Sequence, residues 1–268
     1  MRLLLYTLLI ALLSTGSIAQ SPDVLRVDST SGPWIDTIDL DARSYAYQLV
    51  SDNVGKGSTA LRFELRDGDC FTAYPAAPET GWDDCTRDRE RTEVREKYQA
   101  PIDTDIWYSI MLYIPDDYVP MYPKQIFMQW HSGAVGPNLY FHLNENKFHV
   151  DILAEPHMTT TQYTFGTDVL TTGTWHEITV NAIWSGRDDL GRMDLYVDGQ
   201  RLVQHRGATL SPSVYEAGIG PNVKYGIYRS HLFRYEPEGP HPTHVLYFDE
   251  YRRGFDFSEV DPDRYEGD

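Results

Sequence analysis

The sequence predicts an all-β fold, a jelly-roll sandwich of two antiparallel sheets in a single domain. Apolar and polar residues alternate with a period of two in nearly every readable segment, as expected for strands with one buried face. Turn signals separate these segments, and the run Val197-Asp198-Gly199-Gln200 contains the Asp-Gly pair of a tight hairpin. So many strands favour two stacked sheets, whose concave side would form a groove for an extended polymer.

The strand pattern also predicts which side chains enter the core. Trp130 alternates with Gln129 and His131 on one strand, so it is expected to pack between the sheets. Only brief helical turns are expected, for example near Ser211–Glu216. The predicted strands are Ala60–Leu65, Arg91–Lys97, Trp107–Ile114, Gln125–His131, Leu139–Leu143, Phe148–Leu153, Gln162–Phe165, Trp175–Trp184, Met193–Val197, Arg201–Gln204, Tyr225–Tyr228 and Val245–Arg253.

The N-terminal residues predict export. Arg2 is followed by a short apolar run from Leu3 to Leu13 and by small residues at Ser17 and Ala19, the pattern of a secretory signal peptide. We expect residues 1–19 to be this signal and residues 20–268 to form one jelly-roll domain that is secreted, either to the periplasm or outside the cell. A retained membrane anchor is the alternative, and the shortness of the apolar run disfavours it.

Cys70 and Cys85 are the only cysteines in the chain. In an exported protein, an even pair separated by a loop rich in Pro, Gly and Asp favours a disulfide over a metal site. Closing a loop of roughly 15 residues would stabilise the fold by about 3 kcal/mol.

The chain is strongly acidic, with a formal net charge of −17 at pH 7. This charge argues against nucleic acid and against an anionic membrane surface as partners. It does not exclude an anionic substrate, because charges are screened over about 8 Å at physiological salt and a cleft can be locally basic. We expect a monomer with one such basic cleft.

Polar side chains form rows on three of the predicted strands. Alternate residues of a strand lie on the same side. The rows are Arg91, Glu93 and Arg95; Gln129 and His131; and Lys224 and Tyr228. Side by side in one sheet, they would form a cationic floor that suits an acidic polysaccharide.

The three motifs resemble the signature strands of the jelly-roll polysaccharide lyases, a group that includes alginate lyases, glucuronan lyases and heparin lyase I-like enzymes. The motifs are Arg-Thr-Glu-Val-Arg at 91–95, Gln-Trp-His at 129–131 and Lys-Tyr-Gly-Ile-Tyr at 224–228. Trp107-Tyr108-Ser109 and the run from Phe248 to Gly254 look more like the glucuronan and heparin lyase branch. Typical alginate lyases carry Tyr-Phe and Gln where this chain has Asn222-Val223 and Ser230.

The resemblance implies a concanavalin-like jelly roll and a lyase that cleaves a 4-linked uronic-acid polymer, with a glucuronate-containing polymer favoured and alginate as the alternative. Such an enzyme removes the C5 proton and expels the C4 oxygen, while negative charge develops on the uronate carboxylate. By resemblance, Arg91 or Arg95 together with Gln129 and His131 would neutralise that carboxylate with preorganised donors.

Tyr228 is the candidate general base and general acid. Nearby cations such as Lys224 and the arginines are expected to lower its pKa from about 10. In D-glucuronate and D-mannuronate the C5 proton and C4 oxygen lie on one face of the ring, so a single Tyr can serve both. In L-guluronate and L-iduronate they lie on opposite faces, and His131 would then be the base. The motifs permit either mechanism.

Three further side chains are assigned supporting roles. Glu93 lies between two arginines and is expected to orient them as an ion-pair partner in the substrate-binding set. Tyr140 and His142, on a neighbouring predicted strand, are candidates for substrate binding.

The elimination chemistry requires no cofactor, although a structural Ca²⁺ is possible. Asp249 would bind such an ion with hard oxygen ligands from Asp39 or Asp41 near the N-terminus. A non-catalytic carbohydrate-binding sandwich is the alternative outside the enzyme class, but it has no need for a Tyr beside Lys and His.

Overall fold

The computed structural model describes residues 35–38, 43–70, 83–133, 136–154, 161–261 and 263. The predicted signal peptide, residues 1–19, lies outside the described residues, as do Asp39 and Asp41. The predictions that depend on them therefore stay predictions.

Within the described residues, the chain folds into two antiparallel sheets of seven strands each. The first sheet has the order β1 (Ile35–Ile38), β4 (Arg89–Glu96), β13 (Asn222–Ser230), β6 (Gln125–Ser132), β7 (Gly136–Asn144), β8 (Lys147–Ile152) and β9 (Thr161–Phe165). The second has the order β12 (Gln200–Arg206), β11 (Arg192–Val197), β10 (Trp175–Ile183), β5 (Asp105–Tyr113), β14 (His244–Gly254), β3 (Ala60–Leu65) and β2 (Tyr47–Val50). Two short helices, α1 (Pro212–Glu216) and α2 (Phe257–Val260), complete the fold.

An apolar core lies between the two sheets. Phe63 and Phe248 of the second sheet pack against Tyr225 of the first, with ring centres 6.0 and 5.3 Å away. Trp130 is fully buried, and its ring lies 5.4 Å from that of Tyr108, which confirms the side predicted from strand alternation. Each large apolar side chain buried in this way contributes about 1.5–3 kcal/mol. The core therefore fixes which side of the first sheet points outward.

Each predicted strand has a counterpart in the structure, with ends shifted by a few residues. The predicted hairpin is also present, because β11 and β12 are joined at Asp198 and Gly199, which both have positive φ (50° and 73°) as a tight hairpin turn requires. Sequence reasoning missed β1 and β2. In β2 the alternation is weak, since Leu49 is 43% exposed and no residue of the strand is fully buried.

Cys70 and Cys85 form a disulfide, as the sequence predicted. The bond links the chain just after β3 to a single turn of 3-10 helix, Cys85–Arg87, that leads into β4. No helix formed by the described residues is both long and apolar enough to cross a membrane.

Candidate active site

The three polar rows lie side by side, because β4, β13 and β6 are neighbours in the first sheet. Tyr228 of β13 lies directly opposite Arg91 of β4. Lys224 pairs with Arg95 on one side and with Gln129 on the other. The arrangement expected from the motifs is therefore the one that the sheet contains.

These side chains lie on the side of the first sheet that points away from the core, which we call the polar face. Val223 and Tyr225 belong to the core, so Lys224 and Tyr228 point the other way. Gln129 is nevertheless only 3% exposed and Lys224 only 5%. Neighbouring side chains must therefore enclose this part of the polar face.

Arg91 is held by carboxylates on its own side of the sheet. Its Nε and Nη2 donate to the two oxygens of Asp84, at 2.5 and 2.7 Å, and Asp84 is fully buried. Its Nη1 donates to Glu93 Oε2 at 3.3 Å. The guanidinium carbon lies 4.2 Å from the centre of the Tyr228 ring. Arg91 is thus a fixed cation that covers the candidate catalytic phenol.

Glu93 connects two strands that are not neighbours. Besides the bond from Arg91, it accepts a hydrogen bond from Gln129 Nε2 at 2.6 Å, although β13 lies between β4 and β6. Opposite Glu93 on β13 is Gly226, which has no side chain to separate the two partners. A β carbon on Gly226 would also lie 2.3 Å from the Thr92 carbonyl oxygen. Glycine is therefore required here, and the geometry supports the orienting role predicted for Glu93.

Lys224 and His131 both have pKa values below their ordinary ones. Burial lowers the pKa of Lys224 to about 8, against the opposing attraction of Glu93. Burial also holds the pKa of His131 well below 6.5, and the positive charges of Lys224 and Arg91 lower it further. At neutral pH, His131 is therefore a neutral imidazole that can accept a proton, and Lys224 is a cation that loses its charge in mildly alkaline solution.

Tyr228 differs from expectation. The sequence predicted that nearby cations lower its pKa, but burial raises the pKa above 10, and the opposing charges of Arg91 and Arg89 do not cancel that effect. The predicted lowering of the Tyr228 pKa is therefore wrong. The cation on its ring is Arg91, one of the arginines that the sequence suggested alongside Lys224.

On the other side of Tyr228, the polar face has a small apolar cluster. Tyr228 packs there against Ile126, Tyr140 and Leu153. The hydroxyl of Tyr140 accepts a hydrogen bond from Lys124 Nζ at 3.1 Å, and the same ammonium lies 4.5 Å from the centre of the Tyr140 ring. The structure therefore brings Tyr140, which the sequence predicted to bind substrate, next to the candidate catalytic residue.

His142 is buried beside a second histidine. It is 3% exposed, and its ring stacks on that of His149 with centres 4.7 Å apart. Its Nε2 lies 3.6 Å from Asp151 Oδ2, and Asp151 accepts a hydrogen bond from Gln162 at 2.7 Å. Neighbouring rings therefore surround the His142 side chain, and its predicted contact with substrate stays a prediction.

The candidate calcium ligand, Asp249, is engaged by backbone donors. Oδ2 accepts from the N–H groups of Gly55 and Lys56, both at 2.9 Å, and Oδ1 accepts from Glu250 N at 2.8 Å. Burial raises the pKa of Asp249 to about 6. These contacts fasten the segment before β3 to β14. Because Asp39 and Asp41 lie outside the described residues, the calcium site stays a prediction.

Another group of possible metal ligands, Asp67, Glu90 and His241, has its polar atoms within 4.8 Å of one another among the described residues. These atoms already pair within the protein. His241 Nδ1 lies 2.8 Å from Asp67 Oδ1, and Glu90 forms an ion pair with Arg229. The group therefore acts as a structural ion-pair network.

Asp84 and Lys124 were not identified from the sequence. Neither belongs to a motif with regular spacing, and each reaches the polar face from a loop at the start of a strand. The one signal for Asp84 is its position next to Cys85, since a disulfide places the flanking residues with little freedom.

Comparison with known families decides the class of protein. The sequence model of the family described as polysaccharide lyase matches residues 27–252. The chain belongs to this family. The predicted enzyme class is thereby confirmed: the protein is a polysaccharide lyase, not a non-catalytic binding sandwich. No curated protein matches the sequence.

Several solved structures of other proteins have a fold similar to that of this polysaccharide lyase. The endo-β-1,4-glucuronan lyase from the fungus Trichoderma reesei is similar with a TM-score of 0.64 and 16% identity, over 88% of this chain and 100% of that one. The family 7 alginate lyase AlgAT5 is similar with a TM-score of 0.52 and 16% identity, over 79% and 83%. A GH131 β-glucanase catalytic domain from Podospora anserina gives 0.54 and 14%, over 84% and 85%. These likenesses confirm the jelly-roll sandwich.

Proposed function

We propose that the enzyme is exported and cleaves a 4-linked, glucuronate-containing polymer of the glucuronan type by β-elimination. The observation that carries the proposal is the pairing of Tyr228 with Arg91, in which a phenol on the polar face lies against a guanidinium that two buried carboxylates hold in place. The similarity in fold to a glucuronan lyase supports the same substrate class.

In this mechanism the uronate carboxylate lies over Lys224 and Arg95. Lys224 is a buried cation, and Arg95, which pairs with it in register, is half-buried on the same face. Both offer positive charge to a carboxylate as negative charge develops on it. Gln129 is fixed by its bond to Glu93, so it can donate its second N–H in a constant direction. Arg91 takes a different part, because Asp84 and Glu93 already engage it.

Tyr228 takes the C5 proton and returns it to the C4 oxygen on the same face of a glucuronate ring. Because burial raises its pKa, the resting group is a neutral phenol, and its own proton must pass to solvent before the phenolate removes the C5 proton. Transfer of that proton to the C4 oxygen then regenerates the phenolate. The guanidinium of Arg91, 4.2 Å from the ring centre, stabilises the phenolate as it forms. We expect the rate to rise with pH up to the range in which Lys224 loses its charge, about pH 8.

A guluronate-type substrate is the second candidate, and the state of His131 favours it. His131 is neutral at neutral pH because burial and two cations lower its pKa. A neutral imidazole and a neutral phenol form a ready base and acid pair on opposite sides of a sugar ring. The two candidates therefore differ in which residue removes the C5 proton.

A substrate panel separates these proposals. The chain from residue 20 onward is incubated with glucuronan, polymannuronate, polyguluronate, heparin and ulvan, and the ultraviolet absorbance of the unsaturated product is followed. We expect the fastest gain on glucuronan. A gain confined to polyguluronate would establish the second candidate, and no gain on any of the polymers would refute both. Expression of the full chain, followed by N-terminal sequencing of the exported product, tests cleavage before Gln20.

The panel also assigns the base when it is repeated with His131→Ala. Loss of turnover only on the guluronate polymer would identify His131 as the base for that epimer. An equal loss on both epimers would mean that His131 helps to neutralise the carboxylate.

A further inference from the structure

Lys124 lies beside the proposed catalytic site but outside the three motifs. It precedes β6 directly, and its ammonium lies over Tyr140, 3.1 Å from the hydroxyl and 4.5 Å from the ring centre. Tyr140 packs in the same apolar cluster as Tyr228. Tyr228 therefore contacts Arg91 toward β4 and packs toward β7 in the same cluster as the ring that Lys124 covers.

Two other cations lie at the same end of the first sheet as Lys124, because Arg89 pairs in register with Ser230 and Gln125, the residue after Lys124, pairs with Arg229. Arg89 begins β4, and Arg234 is an exposed residue of the short turn, Leu232–Arg234, that follows β13. Burial lowers the pKa of Lys124, and the charges of Arg89 and Arg234 lower it further. We call Arg89, Lys124 and Arg234 the second basic cluster.

Like charges held together destabilise one another unless an anion binds among them. The chain carries a net charge of −17, so a cluster of cations stands out against the rest of the molecule. Asp151 offsets the charge of Lys124 in part. Its oxygens, however, also accept from Gln162 at 2.7 Å and face His142 at 3.6 Å, so it is shared among several groups.

An exposed aromatic ring borders this cluster. Phe233 is 70% exposed, and the guanidinium of Arg234 lies 5.3 Å from its ring centre. The turn is held in place, because Asp88 accepts from Phe233 N at 2.5 Å through its side chain and from Leu232 N at 3.3 Å through its carbonyl. A fixed, exposed ring beside cations provides a flat surface for a sugar and charges for its carboxylate.

We propose that the second basic cluster is a second carboxylate subsite, which binds the uronate next to the one that is cleaved. The inference rests on the proposed function, because it places a second unit of the same polymer beside Tyr228. It narrows the substrate class. A polymer with a uronate at every position fills both carboxylate sites, whereas a polymer that alternates uronate with a neutral sugar fills only one.

The variant Lys124→Gln tests the subsite. On glucuronan we expect KM to rise about tenfold with kcat within about threefold, because substrate binding is lost rather than chemistry. The rise of KM with salt should also become shallower. Arg201→Gln, which removes one exposed positive charge from β12 of the second sheet, is the matched control.

Arg234→Gln is a second variant that carries little risk to folding, because this side chain is exposed, and it should raise KM on glucuronan in the same direction. An unchanged KM on glucuronan in both variants, or an equal rise of KM in the Arg201→Gln control, would overturn the second subsite. Failure of the proposed function would be visible separately, as an absence of unsaturated product with the unmodified enzyme on every polyuronate.

Discussion

The polar face has two halves that use their carboxylates differently. In the arginine half, formed by the outward side chains of β4, β13 and β6, Asp84 and Glu93 hold Arg91 and Gln129 around Tyr228. In the histidine half, formed by the outward side chains of β7, β8 and β9, the carboxylate of Asp151 binds uncharged partners, such as Gln162.

The difference indicates where the chemistry occurs. Burial alone would raise the pKa of Asp151, but hydrogen bonds with His142, Tyr140 and Gln162 lower it to about 2. The histidine half thus keeps a negative charge and offers a uronate little attraction. In the arginine half the donors are fixed before a substrate arrives, which is the condition for strong stabilisation of a developing charge.

The largest effect that distinguishes the two halves is expected for Tyr228→Phe. The substitution removes only the hydroxyl, so turnover on glucuronan should fall by about 10²–10⁴-fold with little change in KM. Steady-state kinetics measure this, and Tyr196→Phe on β11 of the second sheet serves as the control. A kcat near that of the unmodified enzyme would exclude Tyr228 as the proton carrier.

A smaller loss is expected for Asp84→Asn, which releases one partner of a buried ion pair. Breaking such a pair destabilises a fold by about 3–5 kcal/mol, because the remaining charge stays buried. Turnover should also fall, by roughly 10–100-fold, since Arg91 is no longer fixed against Tyr228.

The double variant Asp84→Asn/Arg91→Gln separates stability from catalysis. It removes both charges, so it should recover part of the free energy of unfolding measured in urea while turnover stays low. Recovery of turnover along with stability would show that Asp84 supports the fold only.

Lys224→Met should weaken substrate binding and stabilise the fold. The pKa of Lys224 is lowered from 10.5 to about 8, so between these values the unfolded chain binds more protons and stability rises with pH. Below about pH 8 the buried charge destabilises the fold in full, on the order of 3 kcal/mol. The variant should therefore be more stable at neutral pH, should lose this rise, and should bind glucuronan more weakly.

Urea unfolding at about pH 7 and about pH 10 measures the effect, with Lys97→Met at an exposed site as the control. A loss of stability at neutral pH in the Lys224 variant would contradict the assignment of a strained, buried cation.

The smallest effect is expected in the histidine half, for His142→Asn. His142 is enclosed, so kcat and KM should each stay within about threefold of the unmodified enzyme. A tenfold change in KM with an unchanged melting temperature would instead identify His142 as a substrate-binding residue.

The sequence predicted the layout of the site better than its electrostatics. Strand alternation correctly placed Lys224 and Tyr228 on one face. The three motif strands were also correctly expected to lie side by side, which brings this face next to Arg91. The pKa of Tyr228 depends on how much of the phenol is enclosed, which alternation does not reveal. The predicted direction of the pKa shift of Tyr228 was therefore wrong.

Contacts made by loop residues were also not predicted from the sequence. Asp84 and Lys124 reach the site from the starts of strands, where no periodic pattern applies. Likewise, the enclosure of His142 results from its stacking on His149 of the next strand, which only the register between β7 and β8 determines. Sequence pattern reports the side of a strand, whereas these features depend on what covers that side.

Gly226 sets a limit on how this enzyme can be redesigned. A side chain there would push β13 away from β4, since its β carbon would lie 2.9 Å from Glu93 Cα, and φ at this position is +135°. The same displacement would part Tyr228 from Arg91. Mutagenesis libraries for new sugar preferences can vary residues toward the histidine half, but they should hold this position constant. A related gene with another residue there is expected to encode an inactive protein, even with Lys224 and Tyr228 in place.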